Sequence, residues 1–332
     1  MSGRRNSEKD LSSVPSIPSL TDVIKKFALL RNSKFSKSLG QNFILNPEIL
    51  HNIVASAGDL SQNVVLEIGA GPGCLTREIL KQNPFHLIAI EKDRACVCAL
   101  RELQVAVEEA DFPAKSSEAG SAKEDGSANF LRLSVLEGDA PSFRLDCIRD
   151  EYNERKIKIV SNLPYNVGTR IFMNLLLDLR DVEVMVLMFQ KEVADRIMAK
   201  PRSKQYGKLS VLAQSLVSCE KVMTLAPGAF TPAPKVHSCL LKLTPHNTFL
   251  PEGNRSDERD AVVQILLKIL SAAFQNRRKI IKHSLQRFFR DNLDDILGEI
   301  GKNSSCRAEE LSVQDFVFLA KELELFERTQ HA

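Results

Sequence analysis

The sequence has almost no net charge, no long apolar run and no CxxC cysteine pair. Lys and Arg total 45 against 42 Asp and Glu in 332 residues, a formal charge of only +3. Any nucleic-acid site must therefore be a local patch, because no basic field covers the whole molecule. No apolar stretch approaches the ~18 residues needed to span a bilayer, so no membrane span is expected. The first residues, MSGRRNSEKDLSSVPSIPSL, lack the apolar centre of a signal peptide. Arg4 and Arg5 are balanced there by Glu8 and Asp10, which argues against a transit peptide, so 1–18 reads as a disordered polar tail. The seven cysteines, Cys74, Cys96, Cys98, Cys147, Cys219, Cys239 and Cys306, contain no CxxC pair. Neither a zinc site nor a disulfide framework is expected, and no other metal site; reduced thiols in a cytoplasmic protein are.

What is present is an alternation. SLTDVIKKFAL has apolar residues at helical spacing, with Ser19 or Thr21 as its cap. Asn46 then caps a helix whose first turn holds Pro47. From Asn63 the chain reads strand, helix, strand, helix: NVVLEIG, CLTREILKQ, HLIAIE and the Asp93-capped DRACVCALRELQVAVEEA. Further strands follow in FLRLSVLEGDA, KIKIVSN and VEVMVLMFQ, then a helix in GKLSVLAQSLVS and two late strands near EKVMTLA and SCLLKL. This order predicts an α/β fold, a parallel sheet with helices on both faces. The last two strands have no helix between them and are expected to form an antiparallel edge hairpin. Residues 114–129, AKSSEAGSAKEDGSAN, read as a flexible surface insert. Strand signals stop after TPHNTFLPEGNRSDE, and from Arg259 onward the pattern is helical, read as one run through AVVQILLKILSAAFQNRRKIIKHSLQRFF. The expected boundary lies near residues 244–258.

LEIGAGPGCLT places Gly69, Gly71 and Gly73 between a strand and a helix. Glycines there let the backbone turn sharply and a ligand lie against it. The dinucleotide fingerprint G-x-G-x-x-G/A is not met: the spacing is G-x-G-x-G, position 74 is Cys, and Pro72 removes a backbone donor. Both departures favour a ligand without a pyrophosphate. Glu91 ends the second strand, where a carboxylate can accept both ribose hydroxyls of an adenosine. Asp139 follows the third strand, where it can meet an adenine amine.

The fourth strand ends in SNLPYNVG, which holds Asn162, Pro164, Tyr165 and Asn166 but no carboxylate, histidine, cysteine or lysine. Such a cluster suits an adenine amine as nucleophile. Its lone pair is delocalised into the ring, and neutral acceptors on its two N–H bonds favour a pyramidal nitrogen and stabilise developing positive charge. The Asn162 side-chain oxygen and a backbone carbonyl at Leu163 or Pro164 are the expected acceptors. Proline stiffens the loop, and Tyr165 offers a stacking face.

These motifs carry a resemblance. KSLGQNFILN, EIGAGPGCLT, SNLPYNVGTRI, MFQKEVADRIMA, YGKLSV, FTPAPKVHSCLL and FQNRRKIIKHSL, in this order over about residues 19–325, resemble the bacterial KsgA family of ribosomal RNA adenine dimethyltransferases. The resemblance implies a Rossmann-like class I methyltransferase sheet over 19–245 and a small all-helical RNA-binding domain over 246–332. It implies S-adenosylmethionine (SAM) as methyl donor, S-adenosylhomocysteine as product and no metal. Asn42 and Ile44 then close over the cofactor, with Gly69, Gly71, Glu91, Asp139 and Asn162 as its further contacts. Asn162, Leu163, Pro164 and Tyr165 form the target-base motif, and Phe230 is a second aromatic on the base. The implied reaction makes N6,N6-dimethyladenosines of two adjacent adenosines in the 3′-terminal hairpin loop of 16S rRNA, by a monomer acting on a pre-30S particle.

RNA contacts are expected from the acid-free run QNRRKIIKHSLQRFFR, chiefly Arg277, Arg278, Lys279 and Lys282, and from Lys37 in RNSKFSKS. An ordinary solvated helix face competes with the first reading. Ile280, Ile281, Leu285 and Phe288 are expected to dock inward. Two rival functions stand beside the main one: a resistance methylase modifying one adenosine of large-subunit rRNA, and a non-catalytic assembly or transcription factor that kept the fold.

Overall fold

Runs of Val, Ile and Leu with little charge fold as strands buried on both faces, and the helices between them cover those faces. The structure, a computed structural model, describes residues 42–111, 132–152, 155–246, 248, 256–275 and 279–331. The tail 1–18, the helix expected after it, Lys37, the insert 114–129 and the pair Arg277 and Arg278 lie outside the described residues.

A seven-stranded sheet has the order β4-β3-β2-β5-β6-β9-β7. Its members are β2 (Val64–Ile68), β3 (His86–Glu91), β4 (Leu133–Glu137), β5 (Ile157–Asn162), β6 (Val182–Gln190), β7 (Val217–Leu225) and β9 (Ser238–Pro245). The first five strands in that order run parallel. The two late strands pair antiparallel as expected, with β9 inserted between β6 and the edge strand β7. A separate two-stranded piece joins β1 (Phe43–Ile44) to β8 (Phe230–Thr231), pairing Ile44 with Phe230. Strand order reverses between β2 and β5, so a crevice opens at their carboxyl ends, above Ile68 and Asn162.

The helices are α1 (Pro47–Ala55), α2 (Cys74–Lys81), α3 (Arg94–Asp111), α4 (Asp146–Glu151), α5 (Gly168–Leu176), α6 (Lys191–Ile197), α7 (Lys208–Leu216), α8 (Ser256–Gln275), α9 (Ile281–Phe289), α10 (Leu293–Glu299) and α11 (Val313–His331). The Asn46 side chain accepts the Glu48 and Ile49 N–H groups at 2.9 and 3.2 Å, and Pro47 occupies the first turn. Asp93 accepts the Ala95 N–H at 3.0 Å and so starts α3.

The late helical run is not continuous. It divides into α8, ending at Gln275, and α9, starting at Ile281. Ile280 is extended, with ψ 149°, and bridges to Arg307, a long-range pairing that takes the backbone out of the helix. The buried stripe of α9 is Ile281, Leu285 and Phe289; Ile280 and Phe288 are only half-buried. The last strand ends at Pro245 and α8 begins at Ser256, and one buried cluster runs across that division, from Leu212 and Leu241 to Leu266, Leu270 and Phe316. The buried Tyr206 hydroxyl donates to the Leu311 carbonyl at 2.9 Å and ties the two parts. No described helix is long and apolar enough to cross a membrane.

Candidate active site

The crevice over β2 and β5 is open to solvent and gathers Asn42, Gly69, Gly71, Glu91, Asp139, Asn162, Leu163, Pro164 and Tyr165 along its wall. Ile44 and Phe230 are not part of its wall. Ile44 is buried beneath it, facing a small space shared with Leu50, Ile53, Glu67 and Cys74.

The glycine loop is shaped by what lies against it. Gly71 has φ +59°, and a Cβ there would sit 2.5 Å from the Phe43 ring. Gly69 has φ +73°, and its Cβ would meet Pro164 at 3.0 Å. The loop can therefore hold both β1 and the SNLPYNVG turn close to the sheet only because these residues lack side chains. Glu91 braces it from the neighbouring strand: one carboxylate oxygen accepts the Gly71 N–H at 2.8 Å, and the other accepts those of Lys92 and Asp93, each at 2.8 Å. Burial pushes the Glu91 pKa up, and the three N–H groups pull it back. Arg77 holds the far side, donating to the Pro72 and Gly73 carbonyls at 3.1 and 3.0 Å. Asp139 is half-exposed at the cleft mouth, with the Lys92 ammonium 3.0 Å from its carboxylate.

Asn162 ends β5, and its amide is fixed in one orientation. The Nδ2 donates to the Asn42 carbonyl at 2.8 Å, while the Oδ1 is buried without a hydrogen-bond partner among the described residues. A buried acceptor left open is costly, and this one sits in a residue of the cleft wall. The Pro164 carbonyl is already engaged, accepting the Val167 and Gly168 N–H groups at 3.2 and 2.8 Å where α5 begins. Of the two backbone acceptors expected from the sequence, the Pro164 carbonyl is thus taken up by the turn itself.

Tyr165 is held at two points. Its hydroxyl is hydrogen-bonded to the Ser238 Oγ, and its ring meets Phe230 edge to face, with centroids 6.5 Å apart and planes at 70°. Burial raises the phenol pKa, so it stays neutral. Phe230 is itself buried, and the two rings form a corner, not a parallel slot.

The donor set fits an S-adenosylmethionine molecule. Glu91 and Asp139 stand at the ends of the adjacent strands β3 and β4, and Asn162, at the end of β5, joins them in the cleft wall. No cluster of three or more His, Cys, Asp or Glu that could hold a metal occurs among the described residues.

On the helical side, Lys279 is exposed, whereas the Lys282 ammonium is 3.1 Å from Asp294 and partly neutralised. The sequence pattern carried no signal for Phe43, Lys92 or Ser238, which take part through tertiary contacts. Glu67 did have one, as a lone carboxylate in the apolar run NVVLEIG. It is buried behind the glycine loop and accepts the Thr76 hydroxyl at 2.6 Å, and burial lifts its pKa to about 8.

The family model for ribosomal RNA adenine dimethylase matches residues 32–325. The chain belongs to that family. Among its relatives, the dimethylase is 37% identical over 289 residues to Ribosomal RNA small subunit methyltransferase A of Neorickettsia sennetsu, covering 86% of this chain and 97% of the relative. It is 38% identical to the protein of the same name from Wolbachia pipientis wMel, over 91% of this chain and 92% of that one. Among solved structures, a dimethyladenosine transferase from Plasmodium falciparum matches with a TM-score of 0.62 at 22% identity, over 87% of this chain and 98% of that one. The 23S rRNA methyltransferase ErmE matches with a TM-score of 0.58 at 20% identity, over 85% and 100%. At those identities the two structures share the fold, a class I methyltransferase sheet with a helical C-terminal region.

Proposed function

We propose that this dimethylase transfers methyl groups from SAM to the N6 amines of two adjacent adenosines in the 3′-terminal hairpin loop of 16S rRNA, giving N6,N6-dimethyladenosines during assembly of the 30S subunit. It acts as a cytoplasmic monomer on a pre-30S particle. The observation that carries the chemistry is the open Oδ1 of Asn162, buried at the end of β5 with its Nδ2 already committed to Asn42. The rRNA substrate is supported by the family and by the small-subunit methyltransferases that share 37 to 38% of the sequence.

Glu91 holds the ribose, Asp139 the adenine amine, and Asn42 with the Gly69–Gly71 backbone the rest of the cofactor. A bound SAM supplies an activated methyl on its sulfonium, so the protein needs no base of its own. Asn162 Oδ1 and the Leu163 carbonyl accept the two N6–H bonds and turn the amine's lone pair toward the donor. Because they are neutral acceptors fixed before the substrate arrives, they stabilise the positive charge that grows on nitrogen without reorganising. Tyr165 stacks on the base, and Phe230 sets the angle of that ring. After one transfer the cationic nitrogen gives up a proton to water; the monomethylated amine then has one N–H and its lone pair, so one of the two acceptors orients it for the second. Lys37, Arg277, Arg278, Lys279 and Lys282 contribute phosphate contacts, with 246–332 as the RNA-binding part and 19–245 as the catalytic one.

Incubation with labelled SAM and either 30S or 50S particles lacking the modification tests this reading. Label is expected in the 3′ hairpin of the small-subunit RNA, mapped by mass. Label in 50S particles alone overturns it.

A further inference from the structure

The chain leaves the site at Phe230 and returns to it at Ser238, and both of these residues touch Tyr165. Between them lies a short turn, PAPKVH, in which every residue is exposed except the half-buried Pro234. Val236 is 43% exposed and belongs to neither buried cluster. The turn is nonetheless firmly held. Two prolines restrict its backbone, the His237 carbonyl accepts the Lys191 N–H at 2.8 Å, and Phe230–Thr231 pairs with β1, next to Asn42. A single aliphatic side chain on a surface is ordinary. This one is carried on a stiff turn that is braced at both ends against Tyr165, and it stands outside both buried clusters.

An adenosine in an RNA loop is stacked on its neighbours and must leave that stack to reach Asn162. Proteins that open a stack commonly insert an apolar side chain into the gap, where it covers the base face left exposed. Building on the adenosine-methylation reading, we propose that Val236 is such a wedge: it packs on the base neighbouring the extruded adenosine and holds the stack open during transfer. Lys235 stands beside it on the turn, where its cation meets the backbone phosphate of the same step. The turn thus selects an adenosine inside a stacked loop, a requirement that Asn162 and Tyr165 do not impose.

The test compares wild type, Val236→Ser and Val236→Leu on unmodified 30S particles, with single-turnover methylation, particle binding and SAM binding measured separately. Val236→Ser should bind particles and SAM as wild type does and transfer about tenfold more slowly, since only the opened stack is lost. Val236→Leu should keep the wild-type rate. With 2-aminopurine at the target position, wild type and Val236→Leu should raise its fluorescence and Val236→Ser should not. The wedge is overturned if Val236→Ser transfers within twofold of wild type, if Val236→Leu is as slow as Val236→Ser, or if Val236→Ser loses SAM binding, which would mark a structural role. Failure of the wild-type protein to label 30S particles at all would instead sink the substrate reading on which the wedge rests.

Discussion

Asn162 donates its Nδ2 hydrogen to the Asn42 backbone carbonyl at 2.8 Å. That bond decides which way the amide faces, and it leaves Oδ1 as the open acceptor. Replacing Asn162 by Ala removes the acceptor and the tie to β1 together. SAM should still bind, through Glu91 and Asp139, while methyl transfer should fall roughly 10²-fold, as for loss of one transition-state polar contact. Asn162→Asp is the sharper probe. It keeps the shape but sets a carboxylate against the Asn42 carbonyl, so it too should be slow. Isothermal titration with SAM alongside single-turnover rates measures both, and a near-normal rate in Asn162→Ala would falsify the acceptor role.

Gly71 allows the Phe43 ring to lie on the glycine loop. Gly71→Ala meets two penalties: a Cβ 2.5 Å from the ring and a φ of +59°. The variant should lose roughly 2 kcal/mol or more of stability, and SAM binding with it. Adding Phe43→Ala should recover the steric part and leave the backbone strain. The two changes are therefore expected to be non-additive in a double-mutant cycle read by urea unfolding; strict additivity would show that the ring is not what Gly71 accommodates.

Tyr165 offers its ring to the base and its hydroxyl to Ser238. Tyr165→Phe retains the stacking face and should slow transfer by less than ~10-fold, whereas Tyr165→Ala loses stacking of about 1–3 kcal/mol. Both should bind SAM normally. Since burial keeps the phenol protonated, its ionisation should leave no step in the pH–rate profile between pH 6 and 9 (about the range of ordinary assays). Equal rates for the Phe and Ala variants would remove the ring from the mechanism.

Glu67 makes stability depend on pH. Burial is the main cause of its rise from 4.5 to about 8, only partly offset by the Thr76 hydroxyl. The folded protein therefore holds a proton that the unfolded chain releases. The stabilising contribution is fully present below pH 4.5, declines as pH rises, and is gone above about 8. At roughly 1.4 kcal/mol per pKa unit, the effect is a few kcal/mol at most. Glu67→Gln keeps an acceptor for Thr76 without the titration. The stability of wild type relative to this variant should fall between pH 5 and 8, in denaturant melts at a series of pH values; a flat difference would show that Glu67 is not titrating there.

The strand–glycine–helix order and the polar end of KIKIVSN located the crevice and most of its wall, because local grammar and the carboxyl edge of a parallel sheet together dictate where a ligand lies. What stayed illegible depends on contacts between distant segments. Phe43 reaches Gly71 only through the pairing of β1 with β8. Ile280 stands outside the helical pattern and bridges to Arg307, so the apolar spacing ran on through a break. Glu67 was readable as a charge in an apolar strand, but its partner, Thr76, sits on α2 and is found only when the loop closes.

Lys279 and Lys282 carry the same charge three residues apart, but they stand in different surroundings. Lys279 is exposed, while the Lys282 ammonium is 3.1 Å from Asp294. A cation that already has a carboxylate beside it releases fewer counterions when it meets a phosphate. Lys279→Ala should therefore lower the salt slope of RNA binding by about one, and Lys282→Ala by clearly less. Asp294→Asn removes the competitor and should steepen the slope by making Lys282 available to RNA. Filter binding across a series of salt concentrations reads all three variants. If Lys282→Ala flattens the slope as much as Lys279→Ala, the ion pair with Asp294 does not survive on the RNA and Lys282 turns toward the phosphates when it binds.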